Sequence, residues 1–210
     1  MSGLPSSSLS AAVGLVALAL VPVALMTLTS FAKIAVVFSA LRNALGASDV
    51  PSAAIVTALA LALSVYAMGP VADAVSASAR ALPASDRDSL SGWLDAAREP
   101  ARAFLRRHAG GAESAMLVEL AKERGIARSG DDFSVLWPSF ALTELKEAFQ
   151  LGFFIYLPFL VLDLVVAHAL LALGLVGLSP TVVALPFKLL LFVAADGFLL
   201  VARALLLGYS

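Results

Sequence analysis

Residues 9–32, 53–75, 151–178 and 182–207 form four apolar segments. Each reaches the roughly 20 residues that cross a hydrocarbon core. Charge is set inside or against them: Lys33 follows the first, Asp163 lies in the third, and Lys188 and Asp196 lie in the fourth. An ionisable group at that depth costs about 2.5–3.5 kcal/mol on insertion scales, so it is as a rule paired and functional. A chain of this pattern must enclose its charges within itself or against neighbours. It is built to assemble around a polar path rather than to bind a soluble substrate.

Composition supports that constraint. Of the 210 residues, 60% are hydrophobic and 14% charged, against about 25% charged in an average soluble domain. Apolar surface on this scale requires a membrane or an obligate assembly. A net charge of −1 gives no long-range attraction to nucleic acid. The chain has no cysteine, which excludes disulfides, thiol catalysis and thiolate metal sites. Its two histidines, His108 and His168, are far apart and have no partner at ligand spacing. No Ser–His dyad, metal cluster or phosphate-binding loop is apparent, so neither an enzyme nor a cofactor site is expected.

Prolines interrupt the segments: Pro22 in the first, Pro70 late in the second, Pro158 in the third, Pro186 in the fourth, with Pro180 between the last two. Each removes a backbone donor and predicts a kink. Kinked helices at membrane depth are tolerated where protein or a water-filled cavity covers the freed carbonyls. The first charge is Lys33, so the positive start of a signal peptide is missing. The run 9–32 is therefore expected to remain as a helix. Lys33 and Arg42, read as lying in the connection after it, favour a cytoplasmic first connection, with Asp49 partly offsetting them.

Residues 76–147 differ. They hold the basic residues from Arg80 to Lys146 and the acidic ones from Asp86 to Glu147, which is most of the charge of the chain. Stretches 91–108, with Trp93, Leu94, Ala97, Ala101, Phe104 and Leu105, and 112–125, with Met116, Leu117, Leu120 and Ala121, have helical spacing. The expected organisation is all-α: two N-terminal apolar segments (1–75), a charged helical insert (76–147), and a C-terminal apolar helical hairpin (148–210).

Four blocks in order carry a family resemblance. They are Thr29-Ser-Phe-Ala-Lys-Ile-Ala-Val-Val-Phe-Ser-Ala-Leu-Arg-Asn-Ala-Leu-Gly46; Gly69-Pro70-Val71; Glu144-Leu-Lys-Glu-Ala-Phe-Gln-Leu-Gly-Phe153 with Leu157-Pro-Phe-Leu-Val-Leu-Asp163; and Pro180-Thr-Val-Val-Ala-Leu-Pro-Phe-Lys-Leu-Leu-Leu-Phe192 with Asp196-Gly197. The chain resembles the FliP/SctR family of flagellar and type III secretion export apparatus. The resemblance implies a ring of five copies joined by SctS/FliQ-like and SctT/FliR-like subunits, with an SctU-type export switch protein as a neighbour. It implies a channel for unfolded secreted proteins at the bacterial inner membrane, with the gate projecting to the periplasmic side. The short N-terminus without a charged start favours the injectisome form.

The resemblance also assigns residues. Glu144 and Lys188 match acidic and basic positions that join neighbouring subunits, and Glu147, one helical step from Glu144, shares that cluster. The alternative for Glu144 is that it ends the insert in water, and Lys146 is read as solvated. Leu175, Val176, Gly177 and Leu178 stand where flagellar members carry a methionine gasket. They are read either as an apolar constriction, with flexibility from Gly177, or as a plain turn. Asp163 and Asp196 are read as structural acceptors for a neighbouring helix or as a proton relay, and His168 as a packing residue. Lys33, Arg42, Asn43, Gly46, Pro186 and Phe187 belong to the signature blocks. Arg42, Asn43 and Gly46 are a helix cap with a topogenic charge, or a subunit contact. The function implied is a non-catalytic pore subunit. The alternative is a small transporter or ion channel working through Asp163, Lys188 and Asp196.

Overall fold

The computed structural model describes residues 14–16, 19, 22–24, 26–46, 51–87 and 89–209. Residues 9–13, 17–18, 20–21 and 25 of the first apolar run, and Asp49, lie outside these. Most of the described residues are helical and none is in a strand, the all-α organisation expected.

Helix α1, Phe31–Leu45, is the centre of the fold. It buries Ile34, Val37, Phe38, Leu41, Ala44 and Leu45, the three-and-four spacing of one helix face. Each large side chain removed from water there stabilises by about 1.5–3 kcal/mol. Gly46 closes α1 in a left-handed conformation (φ 76°), donating its N–H to the Asn43 carbonyl at 3.1 Å. This is the cap expected for Asn43 and Gly46. Lys33 and Arg42 therefore lie within α1 rather than in a connection. The reason is that the apolar stripe of α1 runs past both.

Helix α2, Ala53–Ala67, starts from Ser52, whose hydroxyl accepts the Ile55 N–H. Helix α3, Gly69–Ala81, follows at a bend of 53°. Pro70 sits in its first turn, where a missing N–H costs least. The insert supplies α4, Ala84–Arg87, then α5, Leu90–His108, and α6, Gly111–Glu123. In α5 the buried side is Ala96, Phe104 and Leu105, while Trp93 and Leu94 are exposed. The expected apolar face is thus covered only in part, where α5 meets α3 and α7.

Helix α7 runs for 40 residues, Phe133–Ala172, through both Pro138 and Pro158. The kink expected at Pro158 does not end the helix, because a single lost bond in so long a helix is outweighed by packing along it. At 1.5 Å per residue α7 is about 60 Å long, twice a hydrocarbon core of about 30 Å. It carries the charged stretch around Glu144 and the third apolar segment as one rod. As a single helix, α7 alone among the described residues is long and apolar enough to cross a membrane. The pairs α2–α3 and α8–α9 meet that test only as bent units.

Helices α8, Pro180–Ala194, and α9, Gly197–Leu207, meet at 59°. Pro186 stays inside α8. The break falls instead at Ala195–Asp196, and a Cβ on Gly197 would lie 2.1 Å from the Phe192 ring, so the elbow closes only around glycine. The core joins α1 to α2, α7, α8 and α9 through Phe38, Val56, Ala148, Phe159, Phe192 and Leu205. A second cluster, Phe104, Leu105, Leu136, Phe140 and Tyr209, fastens the insert to α7 and the end of the chain.

Candidate functional site: two buried lysine centres and an apolar tip

The first centre forms around Lys33, in the first turn of α1 and 3% exposed. Its ammonium lies 3.6 Å from Glu144 Oε1 and donates to Glu147 Oε2. The two acids are three residues apart on α7 and so share a face. The Tyr209 hydroxyl donates to Glu144 Oε2, and the Lys33 ammonium stands 4.9 Å from the Tyr209 ring centroid, within cation–π range. Glu144 and Tyr209 are buried, whereas Glu147 reaches solvent. Glu144 therefore does not end the insert in water.

The His108 ring, from the last turn of α5, packs against Phe104 at 4.7 Å and Tyr209 at 5.3 Å. Burial pushes its imidazole below the ordinary value, and the positive charges of Arg107 and Lys33 add to this. Nearby, Lys146 is exposed, as expected, and donates to Glu113 at 3.1 Å. That bond holds the Glu113 carboxyl below the usual range. Gly110 N–H donates to Thr143 Oγ1 at 2.8 Å, a further tie between insert and α7.

The second centre forms around Lys188 of α8, 2% exposed. Its ammonium donates to Asp163 Oδ2 on α7 at 2.7 Å and to the Ala44 carbonyl at 3.0 Å. A cation is favoured there because the last carbonyls of α1 carry the negative end of its dipole. Asp163 Oδ1 is shielded from water with no partner among the described residues.

Within one chain, then, the expected Glu144–Glu147–Lys188 cluster is divided. Glu144 and Glu147 meet Lys33, and Lys188 meets Asp163. Asp163 does act as an acceptor for a neighbouring helix, while Asp196 lies exposed at the α8–α9 elbow and joins neither centre. His168 is exposed, with Nδ1 2.7 Å from its own helix's Leu164 carbonyl. Phe187 and Pro186 are both exposed on α8. Tyr209 was missed from sequence. The available signal was a hydroxyl-bearing aromatic directly after an apolar helix, since a buried tyrosine needs a polar partner.

Between α7 and α8 the chain turns at residues 173–179. Leu175 N–H donates to the Leu170 carbonyl at 2.9 Å and Gly174 N–H to Leu171 at 3.0 Å. This is the paired-bond helix stop that requires a left-handed residue, and Gly174 supplies it at φ 73°. The left-handed residue of the turn is thus Gly174, three residues before Gly177. The tip is apolar and bare: Val176 is 80% exposed, and Leu175 and Leu178 are exposed as well.

The chain matches the FliP family model over residues 15–205. It is 45% identical over 199 residues to a pathogenicity-related open-reading-frame product of Xanthomonas campestris pv. glycines, covering 91% of this chain and 92% of the relative. It is 41% identical over 203 residues to the hypersensitivity response secretion protein HrcR of Ralstonia nicotianae, covering 92% and 94%. It is 38% identical over 200 residues to Yop proteins translocation protein R of Yersinia pestis, covering 92% of each.

Proposed function

The chain belongs to the FliP family of type III secretion export apparatus proteins, its secretion and translocation relatives standing nearer than the flagellar ones, and from that premise we propose that it is a pore-forming subunit of the export gate. In this reading about five copies join SctS- and SctT-like subunits, with an SctU-type switch protein adjoining, at the inner membrane with the gate projecting to the periplasm. Unfolded secreted proteins pass through the enclosed channel.

One observation carries the proposal. The charges of the apolar helices are largely neutralised inside the protomer, while its outer faces are bare. Phe149, Phe153 and Phe154 of α7 and Leu199 of α9 are all more than half exposed. Faces of that kind require lipid or sister subunits. The tip at 175–178 suits a constriction, since rings of apolar side chains gate by dewetting. Glu144 and Lys188 brace the surfaces that neighbours meet. The transporter reading is weaker, because Lys188 is committed to Asp163 and Ala44 and does not share a site with Asp196 among the described residues.

The test is co-expression with SctS- and SctT-like partners and native mass spectrometry. A complex holding several copies of this chain is expected. A monomer or dimer that moves a solute would overturn the reading. Deleting residues 175–177 is expected to leave the ring intact but leaky to small ions, and a deletion variant that stays tight in conductance recordings would refute the constriction.

A further inference from the structure

Outside the two lysine centres, two opposite charges of the apolar helices stand against apolar surface. Arg42 lies in the last turn of α1. Its Nε is shielded from water and has no hydrogen-bond partner among the described residues. It borders a groove of about 510 Å³ between α1, α2 and α9, otherwise walled by apolar side chains such as Phe38, Ile55, Leu59 and Phe198. Asp196 is the other. It precedes α9 with φ 49° and ψ 44°, and its side chain makes no cap bond. Among the described residues it is the one non-glycine with positive φ.

Left-handed backbone is uncommon for a residue with a Cβ, and such an outlier points towards function. Here it turns a carboxylate outwards at an elbow beside the exposed apolar Val193. A guanidinium donor kept from water needs an acceptor, and the guanidinium fork matches a carboxylate. We propose that the α8–α9 elbow of one copy docks in the α1–α2–α9 groove of the next, with Asp196 accepting hydrogen bonds from Arg42.

The contact rests on the self-assembly reading above and names its chemistry. Other charges fit less well. Arg203, two turns beyond Asp196 on α9, is exposed, so water satisfies it. Asp163 already holds Lys188. Asp73 sits exposed on the less apolar α3, without a flanking apolar knob to fill the groove. Where each copy gives its elbow to one neighbour and its groove to another, the contact is head-to-tail. Repetition then gives a closed ring or an open helix according to the rotation between copies.

The absence of native cysteine makes the contact directly testable. Two full-length chains with different tags, one carrying Arg42→Cys and the other Asp196→Cys, are co-expressed with the SctS- and SctT-like subunits, purified in detergent and oxidised. A disulfide joining the two tags is expected. Arg42→Asp and Asp196→Arg are each expected to lower the yield of oligomer about tenfold, and the double exchange to restore it. Thermal unfolding of each variant separates a lost contact from a lost fold, and the cysteine pair reports the contact even where a charge reversal unfolds the chain. An assembled ring with neither mixed-tag disulfide nor rescue overturns the docking while leaving the assembly reading intact. A wild-type chain that forms no oligomer overturns both. Phospholipid retained in native mass spectrometry and lost in Arg42→Ala, with the ring unchanged and no mixed-tag disulfide, overturns the docking and assigns the groove to a lipid phosphate.

Discussion

Lys33 and Lys188 are both buried lysines in apolar helices, yet their surroundings differ. Lys33 is met by two carboxylates and the face of a tyrosine, drawn from α7 and the last turn of the chain. Lys188 is met by one carboxylate and one backbone carbonyl. The first centre lies against the second core cluster, so it couples the charged insert to the apolar helices. The second ties only apolar elements to each other. Buried ion pairs add little net stability when intact, but losing one partner strands the other. The difference between the centres is therefore in what each strands, and in which regions come apart when it does.

The largest effect is expected from Lys33→Ala. It leaves Glu144, 2% exposed, with the Tyr209 hydroxyl as its remaining partner, and costs about 3–5 kcal/mol. The fluorescence of Trp93 and Trp137 during thermal unfolding is the readout, since the insert and the start of α7 carry both tryptophans. If Lys33→Ala unfolds at the wild-type temperature, the first centre is not what couples the two regions.

Lys188→Ala is expected to cost less, about 2 kcal/mol, the scale of a hydrogen bond to a charged group. Asp163 retains access to solvent at 29% side-chain exposure, which limits the penalty of stranding it. The variant is expected to loosen α8 from α7 and α1 while leaving the insert in place, and to lower the yield of assembled complex. Hydrogen exchange resolves the two outcomes: faster exchange confined to α8 and α9 supports the distinction between the centres. Equal loosening of the insert would erase it.

The two centres also mark how far the sequence could be read. That Asp163 and Lys188 find partners follows from residue type and apolar context, because a lone charge there is too costly, whereas the burial of Lys33, read as part of a connection, does not follow. The shared face of Glu144 and Glu147 follows from helical spacing. The identity of the partners does not follow, since Lys33 and Glu144 are brought together only by the packing of α1 on α7. The bend at Gly69-Pro70 was legible because proline suits a first turn. At Pro158 the helix continues, so the proline did not mark an end. The elbow at Asp196 gave no proline signal, and depends on Gly197 fitting against Phe192. At the tip, Gly174 and Gly177 are indistinguishable by type, and only the bonds to Leu170 and Leu171 assign the turn to the first.

The smallest effect sharpens the comparison by pH, because only the first centre has a histidine beside it. His108 is faced by Arg107 from its own helix, Lys33 from α1, Glu147 from α7 and the Tyr209 ring. Burial and the two positive charges lower its folded pKa beneath 6.5, with Glu147 opposing them. The unfolded chain, with histidine near its ordinary value, then binds more protons than the folded one as pH falls. Stability must therefore decline as pH drops through about 6.5, and go on declining until the lowered folded pKa is passed. His108→Phe keeps an aromatic ring against Phe104 and Tyr209 but cannot take the proton. Unfolding temperatures measured between about pH 7.5 and 5.5 are expected to fall for the wild type and to fall less for His108→Phe, while Lys188→Ala follows the wild-type slope. An unchanged slope in His108→Phe would remove His108 from the account.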